Sequence, residues 1–498
     1  MSSRRPDTDR PAGLSRRDLL ASTALGIGGL AAGMLAAGES PSPAGDPLRP
    51  IAAKPPHRPA TARSLIVLFQ YGGPSQVDLF DRKPLLARLA GAPVPASIRE
   101  VPDAVGGVFN HCKDALLCPP WTWRQHGESG LWISDLLPET ARHADRLCLV
   151  KSMYCDSSNH APATYQMNTG AVLGGRPSLG SWVTYGLGSE NENLPGYVML
   201  FEVGGLGGSA NWSNAFLPAA HQGTRFRHEG RPLLHLDPPP GREAVQRSTI
   251  DLVQAFNRIH RDARPGRADL DGRIAAYELA YRMQAEASDV GDLSTETRGT
   301  LAAYGVDDPD RGTAAYGRMC LLARRLVERG VRVVQLYNAV DKLGWDGHDS
   351  SHEFHARNAR QTDRATAALL ADLAARGMLD ETLVVWGGEF GRTPMEQGAG
   401  GRNHNPYGFT VWLAGGGVRG GQSIGATDEI GLRAVHERHH VRDLHATILA
   451  ALGLDHEQLA FPHDGRDERL TGVLGSATPI GGVFGAPPQA GSSSSSPS

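Results

Sequence analysis

Five short apolar runs punctuate the chain, most of them preceded or followed by a helical pattern. Leu65-Ile66-Val67-Leu68-Phe69 is halted by Gly72-Gly73-Pro74, and Leu147-Cys148-Leu149-Val150 is the second run. Val331–Tyr337 follows a helical pattern over Arg318–Arg329 that stops at Gly330. Leu383-Val384-Val385-Trp386 follows a second one, Thr362–Arg376, that stops at Gly377. Phe409–Leu413 ends at Gly415-Gly416-Gly417, and His440–Leu452 then carries Val441, Leu444, Ile448, Leu449 and Leu452 at helical spacing. Runs that are apolar at every position suit strands buried on both faces, as in a parallel sheet covered by helices. The pattern predicts an α/β fold, a mostly parallel sheet flanked by helices. Residues 240–330 show little but helical pattern and read as an excursion from that sheet.

The ends of the chain have a different texture. Ser15-Arg16-Arg17-Asp18-Leu19-Leu20 precedes a Gly/Ala-rich, weakly apolar run from Ala21 to Ala37. Paired arginines before such a run describe a twin-arginine export signal over residues 1–37. The run is too short and too rich in glycine to serve well as a membrane-spanning helix. The mature protein is therefore expected in the periplasm or outside the cell, meeting the membrane only during export. Residues 38–63 read as a Pro/Ala-rich linker, 64–475 as the folded domain, and 476–498 as a disordered Gly/Pro/Ser tail.

Composition narrows the function. The 498 residues carry a formal net charge of −3 and no basic run in the mature part, which argues against nucleic acid. The five cysteines include no C-x-x-C pair, so they supply no zinc ribbon or thioredoxin-type motif. Buried free thiols are the simplest reading, although Cys112 and Cys118 could close a small loop in an oxidising compartment. Histidine is the outlier: 10 of the 19 fall between His348 and His463.

In an open α/β sheet, ligands collect beyond the carboxyl ends of the strands. After the first run come Gln70-Tyr71-Gly72 with Asp78 and Asp81, and after the second Asn159-His160 on a helix closed by Thr169-Gly170. After the third come Trp345-Asp346-Gly347-His348, and after the fourth Glu389-Phe390-Gly391-Arg392 followed by Arg402-Asn403-His404. Carboxylates and imidazoles beyond four strands form a candidate site for zinc or manganese.

These segments also carry a resemblance. Gly72-Gly73-Pro74-Ser75-Gln76, Trp345-Asp346-Gly347-His348, Gly388-Glu389-Phe390-Gly391-Arg392-Thr393-Pro394 and Gly401-Arg402-Asn403-His404-Asn405 resemble the domain of unknown function 1501 family. So do Ala426-Thr427-Asp428-Glu429 and Asp443-Leu444-His445-Ala446-Thr447, and the likeness covers residues 60–475. It implies a sulfatase-like protein of the alkaline phosphatase and sulfatase superfamily, with that superfamily's α/β sandwich. In active members it implies metal-dependent hydrolysis of phosphate or sulfate esters. Three positions depart from the hydrolases. Their nucleophile opens a helix ending in Thr-Gly; ten residues before Gly170 stands His160, in His160-Ala161-Pro162. Gln70 stands at the end of the first strand where they have Asp, and Glu389-Phe390 where they have Asp-His or Asp-Asn.

The expected metal ligands are Asp346, His348, Glu389 and His404, for a divalent ion such as zinc, calcium or manganese. His160 and Arg392 are the catalytic candidates. Arg392 is suited to hold anionic oxygens, and His160 to bind metal or orient substrate rather than attack it. His352, His355 and His445 are supporting candidates. Two functions stay open: an exported hydrolase of sulfate or phosphate esters, on small molecules or glycans, and a non-catalytic relative that binds a ligand or surface in the same cleft.

Overall fold

The computed structural model describes residues 51–485, apart from short stretches at 100–103, 203–206, 234–240, 242, 265–267, 339–343 and 474. The export signal, the start of the linker and the end of the tail lie outside the described residues. Twelve strands matter here: β1 Ser64–Phe69, β2 Cys112–Leu116, β3 Cys148–Tyr154, β4 Tyr197–Leu200, β5 Thr224–Phe226, β6 Val333–Tyr337, β7 Thr382–Gly387, β8 Gly391–Gln397, β9 Gly401–Asn405, β10 Phe409–Ala414, β11 Gln422–Ile424 and β12 His439–His440. The principal helices are α1 His160–Thr169, α2 Leu179–Leu187, α3 Glu243–Asp262, α4 Ala268–Gly291, α5 Arg311–Glu328, α6 Ser351–Ala375 and α7 Val441–Ala451.

The main sheet has the order β11-β3-β10-β7-β1-β6-β4-β5, and β12 also pairs with β3. Of these strands only β10 runs against its neighbours; the other pairings are parallel. Residues of β1 alternate between two cores: Ile66 and Leu68 face one, Leu65 and Phe69 the other. The first core is closed by Met319 and Leu322 of α5 with Leu369 and Leu373 of α6, the second by Trp182 of α2 with Leu444 and Ile448 of α7. That burial on both faces explains why the strands read as unbroken apolar runs. The structure is an α/β sandwich with a mixed, mostly parallel sheet, as expected.

Several boundaries move, each for a local reason. α5 starts at Arg311 rather than Arg318 because Asp310 caps it, accepting from Thr313 N–H. α6 starts at Ser351 rather than Thr362. The 240–330 segment is helical as read, but its last part, α5, belongs to the sandwich itself. Residues 51–63 and 476–485 are not loose ends. Ala62 N–H donates to the Ala451 carbonyl, Ile480 N–H donates to Thr447 Oγ1, and Ile480 and Val483 are buried. All five cysteines are free. Cys112 opens β2 and Cys118 lies past its end, and the two are not paired with one another.

Beyond β7 the chain does not pass straight to a helix. Instead β8 and β9 form an antiparallel pair, extended by β2 into a separate three-stranded sheet. This small sheet carries Arg392, Arg402 and His404 beside the ends of β1, β6 and β7.

Candidate metal centre

Four side chains from three parts of the fold converge. His160 is the first residue of α1, Asp346 and His348 lie in the turn between β6 and α6, and His404 sits on β9 opposite Arg392. One potential ligand atom from each lies within 4.8 Å of all the others. The close passage of β9 over the turn requires a glycine: a Cβ on Gly401 would come within 1.6 Å of the His348 carbonyl oxygen.

Each imidazole is pinned through Nδ1 to an oxygen. His160 Nδ1 is 2.5 Å from Glu389 Oε1, His348 Nδ1 is 2.6 Å from Gln397 Oε1, and His404 Nδ1 is 2.6 Å from the Ser158 carbonyl. Those oxygens accept, so Nδ1 carries the hydrogen and a neutral ring presents a lone pair at Nε2. All three Nε2 atoms face Asp346. His348 and His404 approach its Oδ1 at 3.0 and 3.3 Å, and His160 approaches Oδ2 at 3.2 Å. His160 Nε2 is buried and aligned so that it makes no hydrogen bond. Phe390, fully buried, packs against His160 and His404 with ring centroids 4.9 and 4.5 Å away. The cluster meets solvent mainly at His348, whose side chain is 36% exposed.

The electrostatics ask for a cation. Burial opposes ionisation of Asp346, but its polar surroundings, with the Arg392 guanidinium donating to Oδ1 at 2.6 Å, outweigh it and hold its carboxyl well below the usual range. Burial, reinforced by Arg392, lowers His404 to about 3, so it is neutral and its lone pair points at a carboxylate. For His160 burial favours the neutral ring, but Asp346 and Glu389 win and raise its pKa. Three nitrogen lone pairs and one carboxylate around a common point fit a divalent ion.

Of the residues expected here, His160 joins the cluster, in keeping with the expectation that it binds metal or orients substrate, and Glu389 stands behind it. Asp346, His348 and His404 come together as ligand candidates. Glu389, expected as a ligand, is not one of the four: its carboxylate takes the Gly72 N–H at 3.0 Å and reaches the cluster through His160. Arg392 is not free to hold a substrate anion. It is fully buried, and its guanidinium donates to the carbonyls of Gly72, Gly73 and Arg402 and to Asp346 Oδ1, the last at 2.6 Å. It positions Asp346. Gln70 is likewise turned inward, accepting from Asn338 Nδ2 at 2.9 Å and Trp345 Nε1 at 3.1 Å. His352 and His355 cluster instead around Asp78, while His445 Nε2 meets the Met167 carbonyl at 2.8 Å. Gln397 and the Ser158 carbonyl were not foreseen, and no sequence signal marks a backbone carbonyl.

The fold and this cluster define an α/β sandwich protein with a histidine-rich centre at the carboxyl ends of its strands. The chain belongs to the family described as Protein of unknown function (DUF1501), whose model it matches over residues 62–484. No curated protein matches it in sequence. Among solved structures it is similar to the lipoteichoic acid synthase LtaP from Listeria monocytogenes: 10% identity, 86% of this chain and 79% of that one covered, TM-score 0.37. It is also similar to the PsFucS1 sulfatase from Pseudoalteromonas sp., with 10% identity, 79% and 68% covered, and TM-score 0.33. The phosphonate monoester hydrolase SpPMH from Silicibacter pomeroyi gives 12% identity, 83% and 78% covered, and TM-score 0.32. At such identities and TM-scores these likenesses lend the chain no activity.

Proposed function

We propose that this chain is an exported metal-dependent hydrolase of phosphate or sulfate esters, on small molecules or glycans. The observation that carries the reading is the convergence of three pinned imidazoles on the Asp346 carboxylate, open to solvent at His348. A divalent ion bound there would polarise an ester oxygen and stabilise charge as the ester bond breaks. The protein's part is to orient the ligands: Glu389, Gln397 and the Ser158 carbonyl hold the rings, Arg392 holds Asp346, and Phe390 keeps water from the inner side. Export before use rests on Arg16-Arg17 and the apolar run that follows them.

One observation favours the second reading, a non-catalytic ligand-binding relative. Arg392, the cation nearest the cluster, spends its guanidinium on protein acceptors. Aryl phosphate and aryl sulfate turnover by metal-loaded protein, with His404→Ala as control, decides between them. Hydrolysis lost in the variant supports the hydrolase. Metal-loaded protein inert toward both ester classes supports the binding relative.

A further inference from the structure

The donor set and its surroundings say which ion the centre takes and how many. Resting on the metal-centre reading above, we propose a mononuclear site selective for a borderline transition ion of the zinc class over calcium and magnesium, with Glu389 as the residue that positions His160. The first argument is chemical. Calcium takes six to eight oxygen ligands and magnesium a near-octahedral oxygen shell, whereas imidazole nitrogen suits zinc and its neighbours. Here three of the four donors are imidazole nitrogens. The second carboxylate in the cleft is already occupied, Glu389 being held by Gly72 N–H and His160 Nδ1.

The second argument is geometric. Asp346 Oδ1 stands 3.0 and 3.3 Å from the Nε2 atoms of His348 and His404, its Oδ2 stands 3.2 Å from that of His160, and one ligand atom from each residue lies within 4.8 Å of all the others, so a small inward movement would close them on one ion. A tetrahedron with bonds of 2.0–2.1 Å has edges of roughly 3.3 Å. The third argument limits the count. Arg392 places a buried positive charge 2.6 Å from Asp346 Oδ1 and so already offsets part of the one carboxylate that two cations would have to share. Gln70 offers no charge at the end of β1 and is saturated by Asn338 and Trp345. Glu389 then has one task. Its 2.5 Å contact with Nδ1 fixes the tautomer and the aim of His160 and makes Nε2 a stronger donor, an arrangement whose loss costs metal sites about 10- to 100-fold in affinity.

The test uses the whole mature chain, stripped with a chelator and titrated calorimetrically with Zn²⁺, Mn²⁺, Ca²⁺ and Mg²⁺, each alone. The expected result is one equivalent of Zn²⁺, bound at least a hundredfold more tightly than Ca²⁺ or Mg²⁺, with Mn²⁺ between them. Co²⁺ should give the visible spectrum of a four-coordinate, nitrogen-rich site. E389Q should weaken Zn²⁺ binding 10- to 100-fold while leaving the unfolding midpoint of the metal-free protein in place. If that variant does not fold, the wild-type titration alone still decides. Ca²⁺ or Mg²⁺ binding as tightly as Zn²⁺, or two equivalents of Zn²⁺, would overturn the inference while leaving a metal centre standing. No binding of any of the ions would overturn both.

Discussion

Asp346 and Asp78 are two carboxylates withdrawn from water, each beside an arginine of the β8–β9 pair and each near histidines. Asp78 is the more completely buried of the two. Its Oδ1 accepts from Trp121 Nε1 at 2.9 Å, its Oδ2 accepts from Ser75 Oγ, and Arg402 Nε lies 2.8 Å from Oδ2. The neighbouring His355 has both ring nitrogens on backbone partners, Ser75 N–H at 2.8 Å and the Ser351 carbonyl at 2.8 Å. Around Asp78 the groups facing the carboxylate are mostly hydrogen donors. Around Asp346 three of the four are imidazole nitrogens whose Nδ1 hydrogens are committed elsewhere. One cluster is complete as protein; the other gathers donors that could hold a cation. Residue types alone do not separate them, because both contain Asp, His and Arg. Hydrogen-bond direction does.

That contrast can be broken most directly by making the same change at both aspartates. Asp78→Asn should cost about 3–5 kcal/mol of stability in urea unfolding, because it leaves the Arg402 guanidinium buried without its counter-charge. Whatever fraction folds should still bind metal with full stoichiometry. Asp346→Asn should do the opposite: metal affinity falls at least a hundredfold, while the metal-free protein loses less stability, because this carboxylate is partly exposed and Arg392 keeps its three backbone carbonyl acceptors. Equal destabilisation by the two changes would erase the distinction.

Acid sharpens it further. Burial, only partly offset by Asp78, lowers His355 to about 4, and burial lowers His445 to about 4. An unfolded histidine titrates near 6.5, so below that pH the unfolded chain takes up protons that the folded one refuses. The stability these two residues provide is complete above about pH 6.5 and is lost as the pH falls toward 4. The urea midpoint of metal-free protein should therefore drop across that window, and His355→Gln should flatten the drop. Asp78 acts lower: burial opposes its charge, but Arg402, the histidines and Ser75 hold it at about 2, so its contribution disappears only as the pH falls from about 4 toward 2.

The smallest effect is expected at Gln397, whose Oε1 holds the most exposed ring at 2.6 Å. Gln397→Ala should weaken metal binding less than tenfold, since water can take over that hydrogen bond. A loss as large as that of Glu389→Gln would mean that solvent does not reach this ring.

Much of the sandwich was legible because burial on both faces leaves an unambiguous trace: β1, β6, β7 and β10 are apolar at nearly every position. The direction of β10 was not legible, since hydropathy is the same read either way. Nor was the β8–β9 pair, whose buried strands are Gly-Arg-Thr-Pro-Met-Glu-Gln and Gly-Arg-Asn-His-Asn, mostly polar residues whose side chains are satisfied by backbone carbonyls and by Asp78 and Asp346 from elsewhere in the chain. β4 and β5 escaped notice as short strands at the sheet's far edge.

By itself the sequence determined the layered fold, through the spacing of its apolar residues, and it delimited the set of polar residues that could meet beyond the strand ends. It could not apportion roles within that set. Whether a buried histidine is a ligand or a support depends on which ring nitrogen already holds a hydrogen bond, and a carboxylate's availability depends on who else donates to it. Glu389 is taken by Gly72 N–H, and Arg392 by the carbonyls of Gly72, Gly73 and Arg402. Those partners are backbone atoms, identical in every residue, so only the tertiary structure could place them.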